Sequence, residues 1–143
     1  SGVSLAEQWE HDNAQAYLGT VVPNFPNFFT LYGPNLQPGH GGSLIFVVEM
    51  QVRYIMDMIQ KMLDQNIGSV EIRQEVHDGY NQEVDQAHEQ MVWTHPGMTS
   101  YYRNDRGRIV VNSPWRNVDF YAMTREANLS DYLIEPVSEL VAD

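Results

Sequence analysis

The sequence predicts an α+β fold that is mostly helical, with two long amphipathic helices and a few short strands. Two long stretches carry apolar residues at spacings of three and four, which is the period of a helix with one buried face. Short apolar runs bounded by Gly and Pro lie between and after them and are typical of short strands. Because 43% of the 143 residues are hydrophobic, we expect residues 1–143 to form a single segment with its own core.

The N-terminal part of the chain is predicted to be largely irregular. Residues 5–17 are polar and indicate a partly helical or extended stretch. Four of the seven prolines lie between Val21 and Pro38, and proline lacks the N–H group that a helix requires. Within this region the apolar run from Phe28 to Tyr32 precedes Gly33-Pro34, which predicts a short buried strand followed by a turn.

A long amphipathic helix of about six turns is predicted to follow the glycine-rich run at residues 39–42. Ser43 is a good N-cap, because its hydroxyl accepts a hydrogen bond from a free N–H of the first turn. The helix is expected to end near residues 66–68, with Gly68 as the left-handed residue that follows many helices. The apolar face predicted to be buried consists of Ile45, Val48, Val52, Ile55, Ile59 and Met62.

The second long helix is predicted after a short strand. Residues 70–73 alternate between apolar and charged side chains, which indicates a strand. Residues 94–97, Thr-His-Pro-Gly, are expected to end the helix that follows. Its predicted buried face consists of Val76, Tyr80, Val84, Ala87 and Met91.

The remaining segments are predicted to be short. Residues 101–108 indicate a polar loop, residues 109–111 a short strand and residues 112–114 a turn. A short helix is expected at residues 117–125. The tail after Asn128 is acidic, and we expect it to be frayed.

Composition excludes several classes of function. The chain has no cysteine, so it forms no disulfide or thiolate metal site, and this fits a reducing, cytoplasmic compartment. Its net charge of -11 argues against a nucleic-acid partner, which requires a basic face. No apolar run approaches the ~20 residues that cross a bilayer, and no signal peptide or lipidation motif is visible, so no membrane partner is expected. The first residue is Ser1 and not Met, so we expect the natural start to lie elsewhere.

The most informative stretch for function is the glycine-rich turn before the first long helix. Glycines let the backbone approach a ligand closely, and the free N–H groups of a helix start attract electron-rich groups. The alternative, in which this turn only packs a strand against a helix, carries equal weight on these observations. The turn is not a dinucleotide fingerprint, because Leu44 stands where Gly39-His40-Gly41 would require the third glycine. A G-x-S-x-G nucleophile motif is also absent, which disfavours a hydrolase.

Two weaker constellations leave alternatives open. Asp85 and His88 are three residues apart on one helix face and have the chemistry to share a metal, but a solvated polar face explains them more simply. Tyr101, Tyr102 and Trp115 are aromatic residues in polar loops, where such side chains bind ligands or anchor the loop to the core.

Several runs, in order along most of the chain, resemble the flavin-containing and Baeyer–Villiger monooxygenases. Residues 17–29, YLGTVVPNFPNFF, and residues 31–35, LYGPN, are similar to a run shared across that family. Residues 39–55, GHGGSLIFVVEMQVRYI, resemble the branch that includes 4-hydroxyacetophenone monooxygenase, as do residues 93–97, 99–102, 112–115 and 119–121. The sequence departs from the family pattern at Asn24, where Gly is usual, and at Tyr101, where Trp is frequent.

The resemblance implies a larger flavoprotein with two dinucleotide-binding domains, one for FAD and one for NADPH. In such a protein, residues 17–66 complete the FAD domain and residues 67–143 form C-terminal helices and a mobile loop. The reduced flavin activates oxygen, which is inserted into a ketone or transferred to a heteroatom. The resemblance places near the flavin, or near NADP and the substrate, the residues Gly33, Pro34, Asn35, His40, Gly41, Gly42, Ser43, Tyr101 and Trp115.

The resemblance also implies what a chain of this length lacks. The family's two Rossmann fingerprints and its catalytic arginine lie upstream of the matching runs, so no catalytic residue is assigned here. We therefore expect the isolated chain to retain no cofactor and to be inactive. The face that meets the FAD domain is expected to be apolar and to cause self-association. The alternative is a non-catalytic interaction or dimerisation module derived from the same family.

Overall fold

A computed structural model describes residues 2–97 and 100–137, and it confirms the α+β class. Regular structure is mostly helical, and strands occur only as short pairs. In the described residues the helices are α1 (Leu5–Gln8), α2 (Leu44–Asp64), α3 (Gln74–His88) and α4 (Asn117–Met123). The strands of the same ranges are β1 (Gln37–Pro38), β2 (Ile67–Ile72), β3 (Asn112–Ser113) and β4 (Tyr132–Pro136). Single 3-10 turns lie at Glu10–Asp12, Val92–Thr94 and Leu129–Asp131.

The start of α2 and the approximate position of its end agree with the prediction, but the residue that terminates the helix differs. The Ser43 hydroxyl accepts a hydrogen bond from the N–H of Ile45 at 3.2 Å, which confirms the N-cap. At the other end Asn66, with a φ of 54°, takes the left-handed conformation that was expected at Gly68. Gly68 instead lies in β2, where a β-carbon would come within 2.9 Å of the Pro136 carbonyl oxygen. Glycine is needed there for close strand packing and not for helix termination.

Of the α2 face that was predicted to be buried, half is exposed, and Val48, Ile55 and Met62 are half-buried. Ile45 is 68% exposed, Val52 43% and Ile59 36%. The fully buried side chains lie on an adjacent face, about a third of a turn around the helix, and are Val47, Met50, Gln51, Tyr54 and Met58. Helical periodicity predicts that an apolar stripe is present, but it does not fix which of the apolar positions around α2 face the core.

The core lies between α2, α3, α4 and the β2–β4 pair. β2 and β4 are antiparallel, with Ile72 opposite Tyr132 and Val70 opposite Ile134. The expectation of a frayed tail is therefore wrong for residues 132–136, which pair with β2 and bury Tyr132 in the core. Residues 138–143 lie outside the described part of the chain.

A buried pair of tyrosines connects α2 to β4. The hydroxyls of Tyr54 and Tyr132 are 2.6 Å apart, and both side chains are 1% exposed. We expect Tyr132→Phe to lower the free energy of unfolding by about 1–3 kcal/mol, because the Tyr54 hydroxyl is left buried without its partner. Urea denaturation measures this loss. Tyr54→Phe/Tyr132→Phe should be no less stable than the single variant, and a double variant that loses the sum of both single effects would contradict this.

The second strand pair corrects two predictions. β1 and β3 are parallel, with Gln37 opposite Asn112 and Pro38 opposite Ser113. The predicted strand at 109–111 is therefore displaced, and the predicted turn at 112–114 begins with strand residues. The Val110 and Val111 carbonyls still accept hydrogen bonds from the N–H groups of Asn35 and Gln37, so residues 110–113 run beside residues 35–38.

The predicted buried strand at residues 28–32 is wrong. These residues have no strand pairing, and Phe28 and Leu31 are 39% and 52% exposed. Tyr32 has a φ of 53°, which is incompatible with a strand, and its N–H donates to the side-chain oxygen of Gln51 at 2.7 Å. Phe28, Leu31 and Tyr32 are thus exposed, and Phe29 packs against the core.

Two further helices agree with the sequence in position. α3 buries Tyr80 and Val84 as predicted, although it ends at His88 and leaves Met91 beyond it. α4 occupies the first seven residues of the predicted 117–125 helix. Within the residues that the structure describes, no helix is long and apolar enough to cross a membrane.

Candidate functional site

The glycine-rich turn at residues 39–43 connects β1 to α2 and packs against the segment that follows β3. His40 Nε2 lies 3.0 Å from the carbonyl oxygen of Pro114. The side-chain amide of Asn117 donates to the Gly41 carbonyl at 3.4 Å. The turn is therefore fixed along one side, and the first turn of α2 is held in a defined position.

The other side of this turn is open. Gly41 has a φ of 81°, and a β-carbon there would meet nothing within 4 Å. Leu44, Ile45 and Phe46, in the first turn of α2, are all exposed. N–H groups of a first helical turn have no partner within the helix, so this end of α2 combines a partial positive charge with an apolar surface. The combination suits a flat, electron-rich ring system.

The preceding turn at residues 33–35 has a different role from the one expected. A β-carbon on Gly33 would lie 2.4 Å from the Gly19 carbonyl oxygen, so this glycine is required by close packing of two turns. Asn35 is buried, and its side-chain nitrogen donates to the carbonyl of Ile109 at 2.8 Å and to that of Asn112 at 3.2 Å. The structure thus gives Gly33 and Asn35 packing roles, with Pro34 between them half-buried.

A buried histidine beneath the turn links α3 to the strands. His88 is 3% exposed, and its Nδ1 accepts a hydrogen bond from the Trp93 indole N–H at 2.9 Å. Since Nδ1 is the acceptor, the proton of the neutral ring lies on Nε2. The Trp93 ring in turn lies against Gly39, where a β-carbon would be 2.4 Å from the ring. The sequence had suggested no role for either Trp93 or the buried side of His88.

The buried state of His88 makes stability depend on pH. Burial, with a contribution from nearby Arg108, lowers the pKa of His88 from 6.5 to about 4. The unfolded chain therefore binds more protons than the folded chain between those values, and stability is complete above pH 6.5 and falls as the pH drops towards 4. Between pH 7 and pH 5 we expect this group to cost about 2 kcal/mol of unfolding free energy.

Chemical denaturation of the wild type and of His88→Gln at pH 7 and pH 5 measures this effect. Glutamine keeps both a donor and an acceptor but does not titrate in this range. The wild type should lose more stability than the variant between the two pH values. Equal losses would show that His88 is not held neutral by the fold.

The two aromatic residues assigned to the mobile loop have different environments. Tyr101 is 75% exposed and packs on Tyr102, with ring centroids 4.2 Å apart. Trp115 is half-buried, and its indole N–H donates to the Tyr80 hydroxyl at 3.1 Å, so it anchors its loop to the core. Trp115 and His40 also line one side of an open groove of about 540 Å³ that continues to Arg116 and Asp119. Tyr101 does not line this groove.

The metal alternative is not supported. Asp85 forms an ion pair with Arg108 at 2.9 Å, and His88 is occupied by Trp93. Among residues 2–97 and 100–137, no group of three or more metal-ligating side chains is close enough to hold an ion. Arg108 also donates to Asn81 at 3.2 Å, so these polar residues join α3 to the 104–108 loop.

No family model matches the chain, but sequence comparison finds clear relatives. An uncharacterized monooxygenase of Sinorhizobium fredii, y4iD, is 48% identical over 136 residues, which are 95% of this chain and 20% of the relative. A Baeyer–Villiger monooxygenase of Pseudomonas aeruginosa is 32% identical over 132 residues, which are 92% of this chain and 25% of the relative. The chain thus spans about a quarter or less of the curated relatives it matches.

Solved monooxygenase structures contain a segment with the same fold as this chain. A cyclohexanone monooxygenase mutant from Rhodococcus sp. Phi1, bound to NADP+, superposes with a TM-score of 0.77. The match has 16% identity and covers 95% of this chain and 25% of that chain. A steroid monooxygenase bound to NADP superposes with a TM-score of 0.75. That match has 22% identity and covers 94% of this chain and 25% of that chain.

The chain is therefore a homologue of one segment of the monooxygenases. Its relatives within that class include Baeyer–Villiger monooxygenases, as the sequence runs had indicated.

Proposed function

We propose that this chain is the C-terminal portion of an FAD- and NADPH-dependent monooxygenase that inserts oxygen into ketones or oxidises heteroatoms. The observation that carries the proposal is the 48% identity to a monooxygenase along 95% of the chain. Relatives named as FAD-binding monooxygenases, and solved folds that contain FAD and NADP, support the two cofactors. When bound, the flavin supplies the oxygen chemistry, and this chain supplies part of its surroundings.

The residues of the 39–43 turn fit a flavin on one side only. The open backbone at Gly41 and the free N–H groups of the first α2 turn stabilise electron density placed against them. Exposed Leu44 and Phe46 offer apolar contact to a flat ring. His40 and Ser43 hold the turn in place through Pro114 and through the helix cap.

Tyr101 and Trp115 are suited to contact the second cofactor, NADPH, and the substrate. Tyr101 is exposed and is free to contact a nicotinamide nucleotide by stacking. Trp115 presents one part of its ring to the groove that it shares with His40, while the Tyr80 hydrogen bond fixes its orientation. These two residues act by binding and positioning, and no proton transfer is assigned to them.

We also propose that the isolated chain is inactive and does not retain FAD. The 143 residues contain no G-x-G-x-x-G run, so no loop of this sequence is built to hold the pyrophosphate of a dinucleotide. One wall of a cofactor site leaves most of the cofactor in water, where its binding free energy is small.

The alternative, a non-catalytic interaction module, is favoured by the exposed apolar face of α2. That face leads us to expect weak self-association of the isolated chain. Because each copy carries a net charge of -11, repulsion opposes contact, and added salt should strengthen it. Sedimentation velocity at low and high NaCl measures this, and a monomer at both concentrations of salt would contradict it.

A segment exchange tests the proposed function. In the Sinorhizobium relative, the matching 136 residues are replaced by this chain, and FAD content and NADPH-dependent oxygen consumption are measured. We expect FAD to be bound as in the unaltered relative and NADPH oxidation to persist. A chimera that is folded, judged by circular dichroism, but flavin-free would contradict the proposal.

A further inference from the structure

A cleft of about 270 Å³ lies between the N-terminal segment and the first turn of α3. It shares no lining residue with the groove beside Trp115. Side-chain amides form most of its walls, and they belong to Gln8, Asn13, Gln15, Asn24 and Gln74. An amide group both donates and accepts hydrogen bonds and bears no charge. This lining therefore suits a neutral ligand that also donates and accepts hydrogen bonds.

Contacts within the chain hold the walls of this cleft in place. The Gln8 side chain accepts a hydrogen bond from the Asn24 amide at 3.2 Å, and its own nitrogen donates to a backbone carbonyl at 3.1 Å. The Gln74 amide donates to the Asp78 carboxylate at 2.8 Å. Gln15 is half-buried, and its side-chain amide makes no hydrogen bond to any residue that the structure describes. The cleft is thus preformed and keeps unused hydrogen-bonding capacity.

A buried histidine at the cleft has a ring nitrogen without a partner. His77 is 4% exposed, and its Nδ1 lies 2.8 Å from the Asp78 carboxylate. Because a carboxylate only accepts, Nδ1 carries the proton and Nε2 of the neutral ring is an acceptor. Within residues 2–97 and 100–137, this Nε2 has no hydrogen-bond partner. Buried polar atoms without a partner are rare and cost free energy, so a ligand hydroxyl that donates to Nε2 would stabilise the protein.

An aromatic ring completes the lining. Trp9 is half-buried, and its indole N–H donates to the Gln15 carbonyl at 3.0 Å, which fixes the ring. Because the N–H is used within the chain, the ring offers the cleft an apolar contact. Asp78 is the one carboxylate among the eight described residues that line the cleft, and it already accepts from Gln74 and His77. A sugar ring matches this lining, because it carries hydroxyls around its rim and apolar C–H groups on its faces.

We propose that this cleft binds a small, neutral, polyhydroxylated molecule of the size of one sugar ring. The wall amides exchange hydrogen bonds with the hydroxyls, Trp9 packs against the C–H face, and His77 Nε2 accepts from one hydroxyl. The volume of the cleft lies just below the range of about 300–1,000 Å³ that is usual for drug-sized ligands, which limits the ligand to a single ring. Binding of such a ligand is independent of the proposed flavin contact.

Saturation-transfer difference NMR on the purified chain tests this proposal, with D-glucose and D-galactose as neutral probes. Cyclohexanol is the control that keeps a six-membered ring and one hydroxyl, and D-glucosamine is the control that adds a positive charge. We expect saturable binding of at least one of the two neutral sugars with a dissociation constant of about 1 mM, as suits a ligand of so few atoms. Cyclohexanol should bind at least about tenfold more weakly, because it satisfies one polar group and not several.

Three results of this titration would overturn the inference. The first is the lack of saturable binding of either neutral sugar up to about 20 mM. The second is cyclohexanol binding as tight as sugar binding, which would mean that the amides do not recognise hydroxyls. The third is binding of D-glucosamine alone, which would indicate a cation site at Asp78.

Two substitutions test whether the sugar occupies this cleft. Gln15→Leu removes the unused amide and His77→Phe removes the unpaired Nε2, and each should weaken sugar binding at least about threefold. Gln82→Leu repeats the glutamine-to-leucine change at an exposed position of α3 outside the cleft and should alter binding less than about twofold. Circular dichroism verifies the fold of each variant, and Gln15→Leu carries the test if His77→Phe does not fold. Sugar binding that Gln15→Leu leaves unchanged would place the ligand elsewhere and overturn the inference.

Discussion

Gln51→Leu is expected to lower the free energy of unfolding by about 3–5 kcal/mol, one of the two largest losses that we predict for a single substitution. Gln51 is 0% exposed and lies in the middle of the inner face of α2. Its amide nitrogen donates to the Gly19 carbonyl, the Thr20 hydroxyl and the Thr30 carbonyl at 3.0, 2.9 and 3.2 Å. Its oxygen accepts from the N–H of Tyr32 at 2.7 Å.

Leucine has a similar volume but leaves these four groups without the Gln51 amide. An unpaired buried polar group costs about 1–3 kcal/mol, so the losses accumulate even if some groups relax towards water. Gln60→Leu on the exposed side of the same helix makes the same chemical change and should alter stability by less than about 0.5 kcal/mol. Urea denaturation measures the free energy of unfolding of the Gln51→Leu and Gln60→Leu variants. A Gln51→Leu variant as stable as Gln60→Leu would show that this network does not hold the 19–32 loop to α2.

Gly39→Ala is expected to destabilise the chain by about 2–3 kcal/mol and to displace the glycine-rich turn. A β-carbon at this position would lie 2.4 Å from the Trp93 ring and 2.9 Å from the Ser113 carbonyl oxygen. Trp93 cannot move easily, because it is buried and its indole is bonded to His88. The turn must therefore move instead, and with it the start of α2.

Gly41→Ala is the matched control in the same turn. Its β-carbon would meet nothing within 4 Å, and its cost of about 1 kcal/mol comes from the φ of 81° alone. Thermal unfolding reports stability, and tryptophan fluorescence in a Trp9→Phe/Trp115→Phe background reports the environment of Trp93. If Gly41→Ala is the more damaging of the two, or if Trp93 emission is unchanged in Gly39→Ala, the packing of the turn on Trp93 is not what requires glycine.

The elements that the sequence predicted well are those with local chemical signals. The Ser43 cap, the short helix at 117–123 and the strand after Asn66 depend on neighbouring residues, and each was found within a few positions. The buried face of α2 could not be chosen, because apolar positions on adjacent faces of the helix satisfy the same period. The strand β4 was missed, since its pairing with β2 spans about 65 residues and only Tyr132 of the five is buried.

In the candidate site, too, features with a local sequence signal were predicted, and contacts between distant segments were not. The turn at residues 39–43 was predicted as a ligand site from glycines before a helix; its backbone is open at Gly41, and the ligand site stays a prediction. The roles of Gln51, Trp93 and Arg108 were not visible, because each contacts a segment that is distant in sequence, Trp93 through the turn at Gly39 and His40. Gln51 offers the one signal that was available, a polar residue at a position where the inner face of the helix is otherwise apolar. Asn35 resembled a ligand-binding residue, but its amide is used within the fold.

We propose that this chain supplies one wall of a flavin site that only a longer polypeptide completes. Titration of the purified chain with FAD, followed by flavin fluorescence and equilibrium dialysis, tests it most directly. We predict no saturable binding at micromolar FAD, because no pyrophosphate-binding loop is present in the sequence. Saturable binding of one FAD per chain, or of one per dimer, would contradict the claim and would mean that the turn at residues 39–43 forms a flavin site without the remainder of a monooxygenase.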